Sequence, residues 1–223
     1  MNKMKSQQSG FTLVEIAIVL VIIGLLLGGI LKGQELINSA KVKNIANDFR
    51  VIPTYIYAYQ DKYKSLPGDD ANVAVHVNLA TPATTPAGKQ GNGVIEGLWN
   101  TTTQSDESYL FWQHVRLANL AAGPTDVTDV TYFPTNAVGG KLGINSATPA
   151  QIVIIGMTGT YQVCSAGLLG KFAKQLDIQM DDGNTATGSM RVVTDGSSGA
   201  SAVAAIATAS VDDATPYTVC MTF

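Results

Sequence analysis

The sequence predicts an α+β protein in which one long N-terminal helix, apolar in its first half and amphipathic in its second, packs on a head with an antiparallel β-sheet. Three observations predict it. The apolar run from Phe11 to Leu31 is interrupted by a single charged residue, Glu15. Beyond it, Ile45, Phe49, Ile52, Ile56, Tyr59 and Tyr63 recur alternately four and three positions apart, which is one stripe along a helix. The C-terminal third instead carries short β-branched or alternating runs between Gly and Asp turns.

At a rise of about 1.5 Å per residue, Phe11 to Leu31 makes about 32 Å of helix, which matches a hydrocarbon core of about 30 Å. Residues 11–31 are therefore the predicted transmembrane part of a helix covering residues 11–63. A carboxylate inside such a segment opposes insertion by roughly 2 to 3 kcal/mol and asks for a partner. Residues 1–10 form a short polar leader with Lys3 and Lys5, and Gly10 directly precedes the apolar run. A secretory signal places its small-residue cleavage site after the apolar stretch, so this layout is inverted. Cleavage between Gly10 and Phe11 would create an α-amine with a pKa of about 7.7 to 8.0, one helical turn from Glu15. A neighbouring helix shifted along the axis could offer that amine, together with its positively polarised first N–H groups, to this Glu15.

The Lys-bearing leader, Gly10, Phe11-Thr12-Leu13-Val14-Glu15 and the apolar run resemble the class III signal of type IV prepilins and type II secretion pseudopilins. The resemblance implies a prepilin peptidase that cuts after Gly10 on the cytoplasmic side and methylates Phe11. It also implies that Glu15 neutralises the amine of a neighbouring subunit during filament assembly, and that the fold is pilin-like. The domains then read as a cleaved cytoplasmic leader (1–10), a long helix (11–63) and a globular α/β head (64–223). The implied partners are other pilins or pseudopilins in a homo- or hetero-polymer, the peptidase, inner-membrane assembly machinery and the membrane itself. Lysines flank both ends of the span, Lys3 and Lys5 before it and Lys32, Lys41 and Lys43 after it, and do not settle orientation. The resemblance and the cysteine usage place the head in the periplasm before assembly and in a periplasmic or extracellular filament after it.

Along the helix, Lys41, Lys43, Asn47, Asp48, Arg50, Gln60 and Asp61 form the face opposite the stripe. Pro53 removes a backbone hydrogen bond and is expected to bend the rod. Gly24 and Gly28 have small-xxx-small spacing, which suits close helix approach or simple lipid exposure equally. Leu66-Pro67-Gly68-Asp69-Asp70 is expected to end the helix. Residues 78–105 read as a surface connection containing the turn Gln90-Gly91-Asn92-Gly93. Ser105 to Leu120 reads as a second helix, capped by Ser105 or Asp106, with Leu110, Phe111, His114, Val115, Leu117 and Leu120 on its apolar side. Strands are expected at Gln151 to Met157, Thr160 to Cys164, Ser189 to Thr194 and Pro216 to Phe223, with a short helix at Gly167 to Leu176.

The chain has two cysteines, Cys164 and Cys220, and two histidines. One crosslink in an oxidising compartment is what this count allows, with two buried thiols as the alternative. A bond would close a long loop, worth about 4 kcal/mol in the chain-entropy picture. It would be similar to the disulfide-bounded C-terminal region of many type IV pilins. The cysteines and histidines make a poor zinc set. Asp69, Asp70, Asn72, Asn92 and Glu96 offer oxygen ligands near glycine turns, and calcium stabilises the head in some pseudopilins. The spacing fits no EF-hand loop, and turn residues in water are the better reading, as they are for Asp181, Asp182 and Asn184. No metal or cofactor is expected.

His76 and His114 lack any accompanying nucleophile-elbow, zinc-protease or phosphate-loop motif, so no catalytic residue and no enzyme is predicted. The balance of 14 Lys and Arg against 17 Asp and Glu has no basic cluster, which disfavours nucleic acid as a partner. The expected function is a structural subunit of a type IV pilus or type II secretion pseudopilus. The alternative is a minor or tip pilin whose head is an adhesive or ligand-binding module, and a membrane-tethered enzyme is third.

Overall fold

The computed structural model describes residues 12–223; the predicted leader (1–10) and Phe11 lie outside the described residues. Helix α1 spans Leu13–Tyr63 and continues through Pro53. The chain divides into two compact units between Ala40 and Lys41.

In the first unit α1 is a bare apolar rod. Leu13 is 90 % exposed, and Leu20, Val21, Leu25, Leu26 and Leu31 are all exposed. An 18-residue window of this helix has a mean hydropathy of 2.8, with none of it buried. This helix is long and apolar enough to cross a membrane.

In the second unit the predicted stripe turns inward. Ile45, Phe49, Ile52 and Ile56 are buried and share a core with Phe111, Val115, Ile144, Val163, Val192 and Val219. Tyr59 belongs to a smaller cluster with Val73, Val77 and Ala118. The helix stops at Tyr63, before Leu66-Pro67, because Lys64 turns to φ 57° while its N–H still bonds the Gln60 carbonyl. Gly68 follows at φ 93°, where a Cβ would collide with the Glu107 carbonyl, so the chain passes tightly against the start of the next long helix. A short helix α2, Val73–His76, was not legible in the sequence.

Helix α3 is Glu107–Leu117, shorter at both ends than predicted. Asp106 is the N-cap residue but its side chain makes no cap bond. It accepts hydroxyl hydrogen bonds from Thr85 and Thr101 instead. Every residue from Glu107 to Arg116 is buried, so α3 is a central helix rather than an amphipathic one. Two of its polar side chains find carbonyls inside: Gln113 Nε2 donates to the Thr125 carbonyl, and Arg116 Nη1 donates to the carbonyls of Pro124 and Tyr132. The connection before α3 is not all surface, since Ala80, Ala83, Ile95 and Trp99 are buried within it.

The sheet has four strands, β1 Leu142–Ser146, β2 Tyr161–Leu169, β3 Met190–Thr194 and β4 Pro216–Thr222. They pair antiparallel in the order β1-β2-β4-β3. Strand β1 is hidden in the sequence because its second residue is Gly143, where a Cβ would collide with the Trp99 carbonyl. Strand β2 runs past the predicted Cys164. Its register shifts between Ser165 and Leu168, and it then pairs Leu168 with Tyr217. Helix α4, Gly170–Met180, therefore starts three residues later than expected and packs on β2, β3 and β4.

The run Gln151 to Met157 is not a strand. The Val153 N–H bonds Gln162 Oε1 and the Ile155 N–H bonds the Val203 carbonyl. Its backbone groups are spent on a side chain and on a distant loop, which leaves no ladder.

Candidate functional site

The predicted assembly residue sits at the start of α1. Glu15 Oε2 accepts hydrogen bonds from the Thr12 N–H and the Thr12 hydroxyl, both at 2.8 Å. The Glu15 N–H in turn bonds Thr12 Oγ1 at 3.2 Å. This is a reciprocal capping box, with Thr12 at the N-cap and Glu15 at the third helical position. The pattern Ser/Thr-x-x-Glu before an apolar run is a sequence-level signal for it, and reading Glu15 only as an amine partner missed it.

The capping box lowers the cost of placing a carboxylate beside an apolar helix. It also holds the side chain back over the helix's N-terminus, where the first N–H groups carry positive polarisation. Only one of the two carboxylate oxygens is engaged by Thr12. Glu15 can thus keep its local bonds while its other oxygen meets a cation from elsewhere. The predicted cleavage position, Gly10, and the predicted methylation position, Phe11, lie outside the described residues.

In the head, Cys164 on β2 and Cys220 on β4 are direct cross-strand partners with Cα atoms 4.1 Å apart. They form a disulfide, and both are fully buried. The bond ties the C-terminal strand to the middle of the sheet and joins segments far apart in the chain.

The two histidines have structural partners. His114 Nδ1 accepts the Gly68 N–H at 2.9 Å and Nε2 lies 2.8 Å from the Thr81 carbonyl, so the neutral tautomer with Nε2–H satisfies both. Burial pushes the His114 imidazole down to about 4. It clamps the turn after α1 and the loop at Thr81 onto α3. His76 Nδ1 lies 2.7 Å from Asp70 Oδ2, which also accepts the Tyr59 hydroxyl at 2.9 Å. Asp70 Oδ1 caps its own turn through the Asn72 N–H. No serine or cysteine nucleophile is bonded to either imidazole among the described residues.

The predicted oxygen ligands separate. Asp70 and Asn72 belong to the Tyr59–Asp70–His76 network, whereas Asp69 reaches the glycine turn. Its Oδ1 accepts the N–H groups of Gly91 and Asn92, and its Oδ2 accepts that of Gly93. Asn92 Nδ2 donates to Glu96 Oε1. Asp181 and Asp182 cap the loop after α4 by accepting the Met190 N–H, the Asn184 N–H and the Thr187 hydroxyl. Glu107 is a further buried acid near Asp69 and Glu96. Its sequence distance from them hid it.

Residues 5–31 match the family model described as the prokaryotic N-terminal methylation motif. Comparison with curated proteins and with solved structures gave no match. The matched motif covers the end of the leader and the apolar span; it is a structural motif of pilin-type subunits and not an enzyme family. Its placement, ahead of a pilin-like α+β fold with a long helix and a four-stranded antiparallel sheet, is that of the class III signal of type IV pilins and pseudopilins.

Proposed function

We propose that this chain is a structural subunit of a type IV pilus or of a type II secretion pseudopilus. The observation that carries the reading is the methylation motif set directly on a helix whose large apolar side chains from Leu13 to Leu31 are exposed among the described residues. Water disfavours such a surface, and lipid or other copies of the same helix favour it.

In this reading the subunit waits in the inner membrane as a single-pass protein, with residues 11–31 in the bilayer and residues 64–223 in the periplasm. Prepilin peptidase removes residues 1–10 by cutting after Gly10, and the new Phe11 amine is methylated. Assembly machinery then moves the subunit out of the bilayer, and Glu15 pairs with the Phe11 amine of a neighbour as helix packing replaces lipid contact. The charge pair offsets what each ion would cost alone in an apolar surrounding. The finished filament is a homo- or hetero-polymer with the heads outside.

A second reading, a minor or tip pilin with a ligand-binding head, is favoured by one feature. A groove of about 610 Å³ on the head is lined by Pro86, Lys89, Val94, Leu98, Thr103 and Gln151, among others. Deletion of the gene, together with counting of the chain in filaments sheared from the parent strain, tests both. Loss of filaments or of secretion with many copies per filament supports the structural subunit, and a few copies with loss of surface attachment supports the tip reading. Normal filaments, secretion and surface attachment without the chain contradict both.

A further inference from the structure

Three acids converge in the head. Carboxylate oxygens of Asp69, Glu96 and Glu107, one from each residue, lie within 4.8 Å of one another. They come from the turn after α1, the connection before α3 and the first residue of α3. Asp69 and Glu107 are buried, at 2 % and 0 % exposure, and Glu96 is half-buried.

The hydrogen bonds around them leave one gap. Asp69 accepts the N–H groups of Gly91, Asn92 and Gly93, a set of donors that suits an ionised carboxylate. Glu107 Oε2 accepts the Glu96 N–H at 2.9 Å, and Glu96 Oε1 accepts Asn92 Nδ2 at 2.8 Å. The other oxygen of each glutamate, Glu107 Oε1 and Glu96 Oε2, is buried and accepts no hydrogen bond. The two carboxyls lie within hydrogen-bonding reach of each other. If both were ionised they would repel and leave two buried acceptors empty, whereas a single hydrogen between them satisfies both. The other charged and titratable groups nearby are Lys89 and Asp106, which line the groove beside Glu96, and Lys64 and Tyr161, which line a pocket beside Asp69. Asp106 is occupied by the Thr85 and Thr101 hydroxyls. Among the described residues the ion pairs join Lys32 to Glu35, Lys64 to Asp61, His76 to Asp70 and Lys174 to Asp213, so no cation pairs with either glutamate.

We propose that Glu96 and Glu107 share one proton at neutral pH, held between Glu107 Oε1 and Glu96 Oε2, and that this proton latches the start of α3 to the connection before it. A hydrogen bond from a carboxylic acid to a carboxylate is short and strong, and the pair then carries one negative charge instead of two. Glu96 also lines the groove, so the same proton fixes one wall of it. When the proton leaves, adjacent like charges push that wall away from α3. The latch is built from the head alone and acts whether or not the chain assembles into filaments.

Burial, reinforced by the adjoining Glu96 carboxyl, holds the Glu107 carboxyl well above the usual carboxylate range. The folded chain keeps a proton that the unfolded chain releases, so the stability this proton contributes is full at acid pH and is lost as the pH rises through the pair's own titration. Below pH 6.5 the buried His114 contributes in the opposite sense. Each contribution is therefore read as the difference between the chain and its own variant, and this one above pH 7.

The full-length chain in detergent, labelled at the carboxyl carbons of its glutamates, is titrated by NMR; the glutamates are Glu15, Glu35, Glu96 and Glu107. One glutamate titration should lie above pH 7 and vanish in Glu107→Gln. The amide of that variant can still accept the Glu96 N–H and donate to Glu96 Oε2, so it replaces the proton permanently. Glu107→Gln should be at least as stable as the parent at pH 7, and the parent should lose about 4 °C or more of Tm relative to it between pH 7 and about 9.5. Glu96→Gln, whose amide can donate to Glu107 Oε1, should behave alike and carries the test if Glu107→Gln does not fold. Glutamates that are all ionised at pH 7 overturn the proposal. So do folded variants whose Tm falls with pH as steeply as the parent's, or a loss of stability at pH 7 in both, which would show that both charges are needed.

Discussion

The two halves of α1 are one helix with opposite surfaces. In residues 13–31 the large apolar side chains are exposed, while from Val42 to Tyr59 the apolar stripe is buried against α3 and the sheet. Both halves obey the same hydrogen-bonding geometry, so secondary structure does not distinguish them. What differs is where the partner comes from. The second half finds its partner in its own head, and the first half must find one in lipid or in another copy.

The carboxylates follow the same division. Glu15 is exposed at the start of the apolar rod and capped by Thr12, whereas Glu107 is enclosed in the head beside two other acids. One is open to a partner from another molecule, and the other lies among groups fixed by this chain's own fold.

The largest expected effect in the first half comes from the residue before the span. Gly10→Glu should abolish leader removal, leaving Met1 at the N-terminus in mass spectrometry, with no chain recovered in filaments. Recovery of a processed chain from that variant would contradict the assigned site. Glu15→Val should keep or improve membrane insertion, since it removes roughly 2 to 3 kcal/mol of insertion cost, yet lose most incorporation into sheared material. Thr12→Ala sharpens this. It removes the cap, worth about 1 kcal/mol, and leaves the Glu15 charge in place. If Thr12→Ala lost incorporation as fully as Glu15→Val, capping and not charge pairing would be the role of Glu15.

Truncations of apolar side chains should divide along the same line. Phe49→Ala is expected to destabilise the head by about 3 to 5 kcal/mol, read by chemical denaturation of the detergent-solubilised chain. Leu26→Ala, in the exposed half, should change the same transition by less than about 0.5 kcal/mol. Equal effects would mean that the two halves do not differ in the way their burial implies.

The head should also show a pH dependence of its own. His114 is fully buried and its imidazole is held near 4, against an ordinary value of 6.5. Between those values the unfolded chain binds a proton that the folded chain refuses, so stability falls as the pH drops from 6.5 towards 4. The expected loss is about 3 kcal/mol, and His114→Gln should remove that slope. A slope unchanged in the variant would assign the acid sensitivity elsewhere.

Much of this architecture was legible because long periodic patterns are robust to local detail. The apolar run and the stripe from Ile45 to Tyr63 placed α1, and Leu110, Phe111 and Val115 placed α3. Their ends were less legible. Lys64 takes the left-handed conformation that sequence reasoning assigns first to glycine, and Asp106 spends its carboxylate on threonines instead of on the helix. The burial of α3 from Glu107 to Arg116 depends on carbonyls supplied by Thr125, Pro124 and Tyr132, which no periodicity encodes. Gln151 to Met157 has the composition of a strand, yet the buried Gln162 side chain takes backbone bonds at Gln151 and Val153. At the candidate site, the cost of a carboxylate beside an apolar run singled out Glu15, and its capping by Thr12 was overlooked although the spacing carries it. Glu107 joins Asp69 and Glu96 only through the packing of α3 against the turn after α1.

The account rests most directly on the state of the N-terminus. Intact-mass and N-terminal peptide analysis of the chain from membranes and from sheared surface material should find it starting at Phe11 with one added methyl group. A chain in both fractions that still starts at Met1, or that is cut beyond Leu31, would contradict the account and make residues 11–31 an ordinary anchor or signal.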